Sequence, residues 1–120
     1  MKLIIAGSRT ITDYTLIKNG YQASGFKATE IVSGTARGPD QLGEQLAKAL
    51  GIPVKRFPAD WDGLGKKAGY VRNAQMADYA DGLLAFYDGV SRGTMHMIEL
   101  AKKKKLSLLV YTPQGGRWYT

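Results

Sequence analysis

The sequence has no cysteine and a single histidine, His96. The first absence excludes disulfides, a thiolate zinc site and a cysteine nucleophile. The second excludes a histidine-built metal centre and a Ser-His-Asp triad, since one imidazole assembles neither. No resident metal is expected. No apolar run approaches the ~20 residues of a membrane-spanning helix. Residues 1–5 are too short for a signal peptide and meet Arg9 almost at once. A cytoplasmic protein away from membranes is the expectation. The two common nucleotide fingerprints are also missing. Without G-x-x-x-x-G-K-[ST] there is no P-loop, and the first apolar run is followed only by Gly7-Ser8-Arg9, not by G-x-G-x-x-G.

Acidic residues are few, 10 against 17 lysines and arginines, which leaves a net charge of +7. That excess implies anionic company. The lysine run 102–105 has two readings: a solvated helix face complementing the C-terminal dipole, or a patch for nucleic acid or a partner. Arg9, Arg37, Arg72 and Arg92 lie instead in or beside glycine-bearing loops.

What is present is a regular alternation. At 120 residues the chain has room for one core, and a single domain over 1–120 is expected, with 113–120 as a C-terminal tail behind the turn Pro113-Gln114-Gly115-Gly116. Short apolar runs predict strands at 2–6, 30–32, 52–57, 83–87 and 106–111. Between them lie helical stretches. Tyr14, Ile17 and Tyr21 follow i, i+3, i+7 behind Thr12 or Asp13 as cap and close at Gly25. Leu42, Leu46 and Leu50 follow Pro39, which suits a first helical turn, with Gly38 near the cap and Gly51 at the end. Further helices are expected at about 67–79 and 94–104, with residues 58–65 as a loop. The fold class that results is α/β: a Rossmann-like, doubly wound, mainly parallel sheet of about five strands flanked by helices. Ligands of such sheets bind beyond the carboxyl ends of the strands at the switch point. The loops at 7–9, 33–40, 58–66 and 88–94 should share that edge.

Glycine is over-represented, with 15 in 120 residues against an average of ~7%, and it concentrates after strands at Gly7, Gly34, Gly38, Gly89 and Gly93. Ordinary tight turns account for some of these; close approach of a ligand to the main chain is the alternative. The stretch 83–94 reads as a buried strand running into such a loop and then a helix. Backbone N–H groups of 89–94, with the Ser91 and Thr94 hydroxyls, would surround a phosphate at a positive helix end.

Taken together the motifs point to a family. Gly7-Ser8-Arg9, Ser33-Gly34, Ala36-Arg37-Gly38, Asp40, Pro58-Ala59-Asp60-Trp61, Gly65-Lys66, Ala68-Gly69, Arg72-Asn73 and Met76 follow in order. Asp81, Ala85-Phe86, Asp88-Gly89, Ser91, Gly93-Thr94 and His96 complete the set. Over about residues 3–112 the chain resembles a small single-domain branch of the SLOG superfamily, found in bacteria and their phages. That superfamily includes the lonely-guy phosphoribohydrolases and the Rossmann domain of DNA-processing protein A. The resemblance implies a nucleotide or nucleotide-derived ligand, ADP-ribose-like compounds included. It makes a homodimer plausible and puts Arg72 on the phosphoribohydrolases' catalytic arginine. Their catalytic glutamate, however, is replaced by Met97, which can neither stabilise an oxocarbenium-like state nor activate water. Asp40, Asp60 or Asp88 could stand in.

The expected function is therefore binding of a nucleotide or ribose-phosphate ligand, as a sensor or as an enzyme processing it. Nucleic-acid binding and base release from a nucleoside monophosphate are the alternatives. The candidate ligand-binding residues are Gly7, Ser8, Arg9, Ser33, Gly34, Arg37, Gly38, Asp40, Trp61, Lys66, Arg72, Asn73, Asp88, Gly89, Ser91, Arg92, Gly93 and Thr94. Several keep a second reading. Arg72 could form a surface ion pair with Asp78 or Asp81, and Arg9 and Arg37 could be solvated loop charge. Asp40 could complement a helix dipole or hold a ribose hydroxyl. Trp61 could stack on a base or pack over the sheet rim. Lys66 could reach a phosphate or begin a helix, Thr94 could be a cap, and His96 could donate a proton or pack against a neighbour.

Overall fold

A computed structural model describes residues 1–118, and strand alternates with helix along them. Strands β1 (Lys2–Gly7), β2 (Glu30–Ser33), β3 (Val54–Arg56), β4 (Gly82–Phe86) and β5 (Ser107–Tyr111) form one sheet in the order β3-β2-β1-β4-β5. Every pairing is parallel. The crossovers are α1 (Tyr14–Ser24), α2 (Pro39–Leu50), a short α3 (Trp61–Leu64) leading into α4 (Ala68–Tyr79), and α5 (Arg92–Lys103). This is the Rossmann-like α/β fold that the alternation predicts. Among the described residues, no helix is long and apolar enough to cross a membrane.

The central strands lack polar alternation because both faces are covered. Leu3, Ile5, Leu84 and Phe86 point to one layer, where they pack with Ile17 of α1 and Leu46 of α2. Ile4, Ala6, Leu83 and Ala85 point to the other, against Met76 and Ala77 of α4 and Met97, Ile98 and Ala101 of α5. Each fully buried Leu, Ile, Phe or Met among them contributes roughly 1.5–3 kcal/mol of transfer free energy. The outer strand β3 is shorter than the predicted 52–57. It pairs on one side only, and its exposed Lys55 and Arg56 are typical of an edge that avoids further pairing.

Helix ends follow local chemistry. Of the two cap candidates for α1, Asp13 is the one used: its carboxylate accepts from the Thr15 N–H at 2.9 Å, and Gly25 closes the helix in the left-handed region. Pro39 opens α2. The expected loop 58–65 is partly helical, because Asp60 accepts the Gly63 N–H at 2.9 Å and caps α3. Four residues of helix are too few to leave a periodic signal. The tail is held as well. Thr112–Gly116 turns the chain, Arg117 bridges antiparallel to Tyr111, and the Trp118 indole N–H donates to the Tyr87 carbonyl at 2.9 Å. Tyr119 and Thr120 of the predicted tail lie outside the described residues.

Candidate functional site

The strand order reverses between β1 and β4, so the loops leaving their carboxyl ends diverge and open a crevice. Two adjoining cavities occupy it. The inner one, about 90 Å³, lies between Gly7 at the end of β1, Asp40 of α2, Arg72 and Asn73 of α4, and Gly93 and Thr94 of α5. That is space for a phosphate-sized group, about three waters at ~30 Å³ each. The outer one, about 290 Å³, is lined by Gly34, Arg37, Gln41, Pro58, Ala59 and Trp61. Arg9, Ala36 and Arg72 belong to both.

The helix end that faces the inner cavity differs from its expectation. Ser91 caps α5, which therefore starts at Arg92. The Asp88 carboxylate accepts from the N–H groups of Val90 at 2.8 Å and Ser91 at 2.9 Å. The Ser91 hydroxyl oxygen accepts from Thr94 N–H at 3.3 Å and shares a 2.9 Å hydrogen bond with the Thr94 hydroxyl. The loop thus satisfies three of the six N–H donors assigned to a phosphate over 89–94, those of Val90, Ser91 and Thr94. Those left at the first two helical positions are the N–H groups of Arg92 and Gly93. Asp88 is corrected accordingly: the Val90 N–H, joined by Ser91, holds its carboxyl below the ordinary range as an internal loop ligand. Thr94 is buried and serves as part of the cap, while still lining the cavity.

Arg72 reaches across the crevice. Its Nη1 donates to the Gly34 carbonyl at 2.6 Å and its Nε to the Asn73 side-chain oxygen at 3.0 Å. Asn73, itself buried, donates from Nδ2 to the Gly93 carbonyl at 3.1 Å. One amide therefore fixes both the arginine and the start of α5. The ion pair with Asp78 or Asp81 does not form: Asp78 pairs with Lys104 at 2.7 Å, and Asp81 accepts from the Lys2 N–H at 2.8 Å. Opposite Arg72 stands Asp40, buried at 5% exposure, whose Oδ2 accepts from the Ala36 N–H at 3.1 Å. A Cβ on Gly34 would lie 2.7 Å from Asp40 Oδ2 and 2.9 Å from Arg72 Nη1. Glycine is what lets the two groups converge.

Their protonation follows from burial. Desolvation raises the Asp40 carboxyl to about 6, against the pull of the Ala36 N–H and of Arg72. Desolvation also lowers the Arg72 guanidinium from its ordinary value, opposed by Asp40 and reinforced by Arg9. Both shifts run against a tight ion pair, and Arg9 leaves the pocket with positive charge to spare. Because the folded-state value for Asp40 lies above its unfolded value, the folded protein binds more protons between about pH 4 and 6. Stability therefore falls as pH rises through that window, by up to about 3 kcal/mol. Asp40→Asn is expected to flatten that dependence and to be the more stable protein at pH 7.5. Urea melts of both proteins at pH 4.5 and 7.5 check it; parallel pH profiles would contradict it.

Of the remaining candidates, Ser8 and Ser33 are structural. The buried Ser8 hydroxyl oxygen accepts from the Asp88 N–H at 3.1 Å, and the Ser33 hydroxyl donates to Glu44 at 2.6 Å. Gly38 takes φ of 84° at the α2 cap, a backbone role. Gly89, Arg92 and Lys66 line neither cavity. Lys66 instead sits in the middle of the helical turn 65–67 before α4, where it is exposed. Arg9 and Arg37 do line the crevice. Trp61 is 51% exposed on the outer cavity, with its ring edge beside Gly69 of α4. His96 takes the packed reading: Nδ1 lies 3.2 Å from Asn73 Nδ2, Tyr70 meets the ring edge-on at 4.7 Å, and burial lowers its pKa. Met97 is buried and lines the inner cavity. Gln41, the residue after Asp40 in the first turn of α2, joins the outer cavity without having been singled out. Among the described residues no three side chains of the metal-ligating kinds come together.

No protein-family model matches the chain. It is 31% identical over 117 residues, covering 90% of this chain and 94% of the other, to the Gene 61 protein of Mycobacterium phage D29.

Proposed function

The chain belongs to the family of that Gene 61 protein, and from its site we propose that it binds a nucleotide or another ribose-phosphate compound at the carboxyl edge of the sheet. It would act as a sensor of that ligand or as an enzyme that processes it. The observation that carries this reading is the inner cavity, where Arg72, Arg9 and the first turn of α5 converge on a phosphate-sized space. An anion there meets helix-end N–H donors and a guanidinium fork at once. The SLOG resemblance supports it, since Gly7, Asp40, Arg72, Asn73, Gly93 and Thr94 all come from its motifs and all line that space. A second reading, base release, draws on Asp40. Asp60 caps α3 and Asp88 holds its own loop, which leaves Asp40 as the carboxyl among the three that faces the cavity. The nucleic-acid alternative gains less, because Lys102 and Lys103 sit in the last turn of α5, ten residues or about 15 Å along the helix from Arg92.

Thermal unfolding with ribose 5-phosphate, nucleoside monophosphates and ADP-ribose tests the reading, alongside mass spectrometry of compounds released from freshly purified protein. A ligand at 100 times its Kd stabilises by about 2.7 kcal/mol, a rise in Tm on the order of 10 °C for a domain of this size. No shift with any of them, and no released nucleotide, would sink the proposal. Binding of single-stranded DNA that collapses steeply with salt would favour nucleic acid instead.

A further inference from the structure

We infer that the outer cavity is a nucleobase site in which the ring stacks on Trp61, so that the ligand is a nucleoside monophosphate with its phosphate in the inner cavity. This rests on the phosphate reading above and adds the class of ligand.

Trp61 is half exposed, although an indole that size is usually well covered. It is also held in place: Asp60 caps its four-residue helix, and its Cη2 would lie 3.3 Å from a Cβ on Gly69, so the ring edge rests against α4. A Cβ at the same glycine would lie 3.5 Å from Arg72 Nη2. The indole and the guanidinium that faces the inner cavity therefore flank one glycine. A ligand with an anionic group on Arg72 carries its next few atoms towards Trp61.

The sizes agree with that division. The inner space, about 90 Å³, suits a phosphate, and the outer one, about 290 Å³, has room for a flat heterocycle beyond it. Arg9 and Arg37 line the outer cavity too, and guanidinium planes stack on bases as readily as they pair with anions. Gln41 supplies an amide that can both donate to and accept from a base edge. A purely anionic second group would use the arginines and leave the indole idle.

The test compares ribose 5-phosphate with adenosine and uridine monophosphates on wild type, Trp61→Ala and Trp61→Phe by calorimetry, with tryptophan fluorescence as a second readout. Base–aromatic stacking predicts that wild type prefers the nucleotides by roughly 5- to 150-fold. Trp61→Ala loses that preference and leaves ribose 5-phosphate unchanged, while Trp61→Phe keeps much of it. Nucleotide quenching of fluorescence disappears in Trp61→Phe, although Trp118 still emits. Equal nucleotide affinity in wild type and Trp61→Ala, with ribose 5-phosphate bound by both, overturns the inference and leaves the phosphate reading standing. If wild type binds neither compound, both fall.

Discussion

Arg72→Ala is expected to weaken binding of any ribose-phosphate ligand by about two orders of magnitude. Removing one partner of a partly buried, charge-assisted contact costs roughly 2–5 kcal/mol, because the group left behind is desolvated without compensation. Here the loss is twofold in kind. The anion loses the guanidinium, and the Gly34 carbonyl and Asn73 amide lose the donors that hold the β2–α2 loop against α4. Arg72→Lys separates these effects: it keeps a positive charge but no planar fork, so it should recover part of the affinity and little of the loop ordering. Calorimetric titration gives the affinities, and a urea melt of each variant shows whether the fold has been retained. Wild-type affinity in Arg72→Ala would remove the inner cavity from the argument.

Gly7→Ala should be the most damaging single methyl in the chain. A Cβ there would overlap the Phe86 carbonyl oxygen and lie 2.8 Å from Pro39 Cγ. The carbonyl cannot retreat, since it accepts the Ser8 N–H at 2.9 Å and belongs to the β1–β4 pairing. Relief requires parting the two central strands at their carboxyl ends, where the crevice begins. Overpacking of that kind costs about 3 kcal/mol or more, a large share of the ~5–15 kcal/mol a domain has. Gly25→Ala serves as the comparison. Nothing lies within 4 Å of its Cβ position, and only its φ of 72° resists, so about 1 kcal/mol is expected. Equal Tm losses for the two variants would contradict the steric account.

The sheet and its four long helices were legible because burial leaves a periodic trace. Leu42, Leu46 and Leu50 announce α2, and the unbroken apolar run at 2–6 announces a strand covered on both sides. The site was legible by position more than by role. Loops after parallel strands meet at one edge, so Gly7, Arg9, Asp40, Arg72, Asn73, Gly93 and Thr94 could be gathered in advance. What a side chain does there depends on angles that no spacing encodes. The Asp88 carboxylate turns to its own loop backbone, a local Asx-type contact, and the Ser91 hydroxyl caps α5 while still lining the inner cavity. Ser8 and Ser33 were hidden as structural groups because their partners, Asp88 and Glu44, lie far off in sequence or on another element. The exposure of Trp61 rests on a capped four-residue turn too short to leave a periodic trace.

The hydrogen bond from the Asp88 N–H to the Ser8 hydroxyl joins residues 80 apart in the chain, and β1 meets β4 over a similar interval. Contacts between such distant segments form late, since a long loop must close before any of them is rewarded. A chain emerging from the ribosome can pair β1 with β2 early. It cannot complete the crevice until β4 and the first turn of α5 have been made. Any ligand of that crevice therefore reports on the joining of β1 to β4, and a nascent chain that ends at residue 86 would be blind to it.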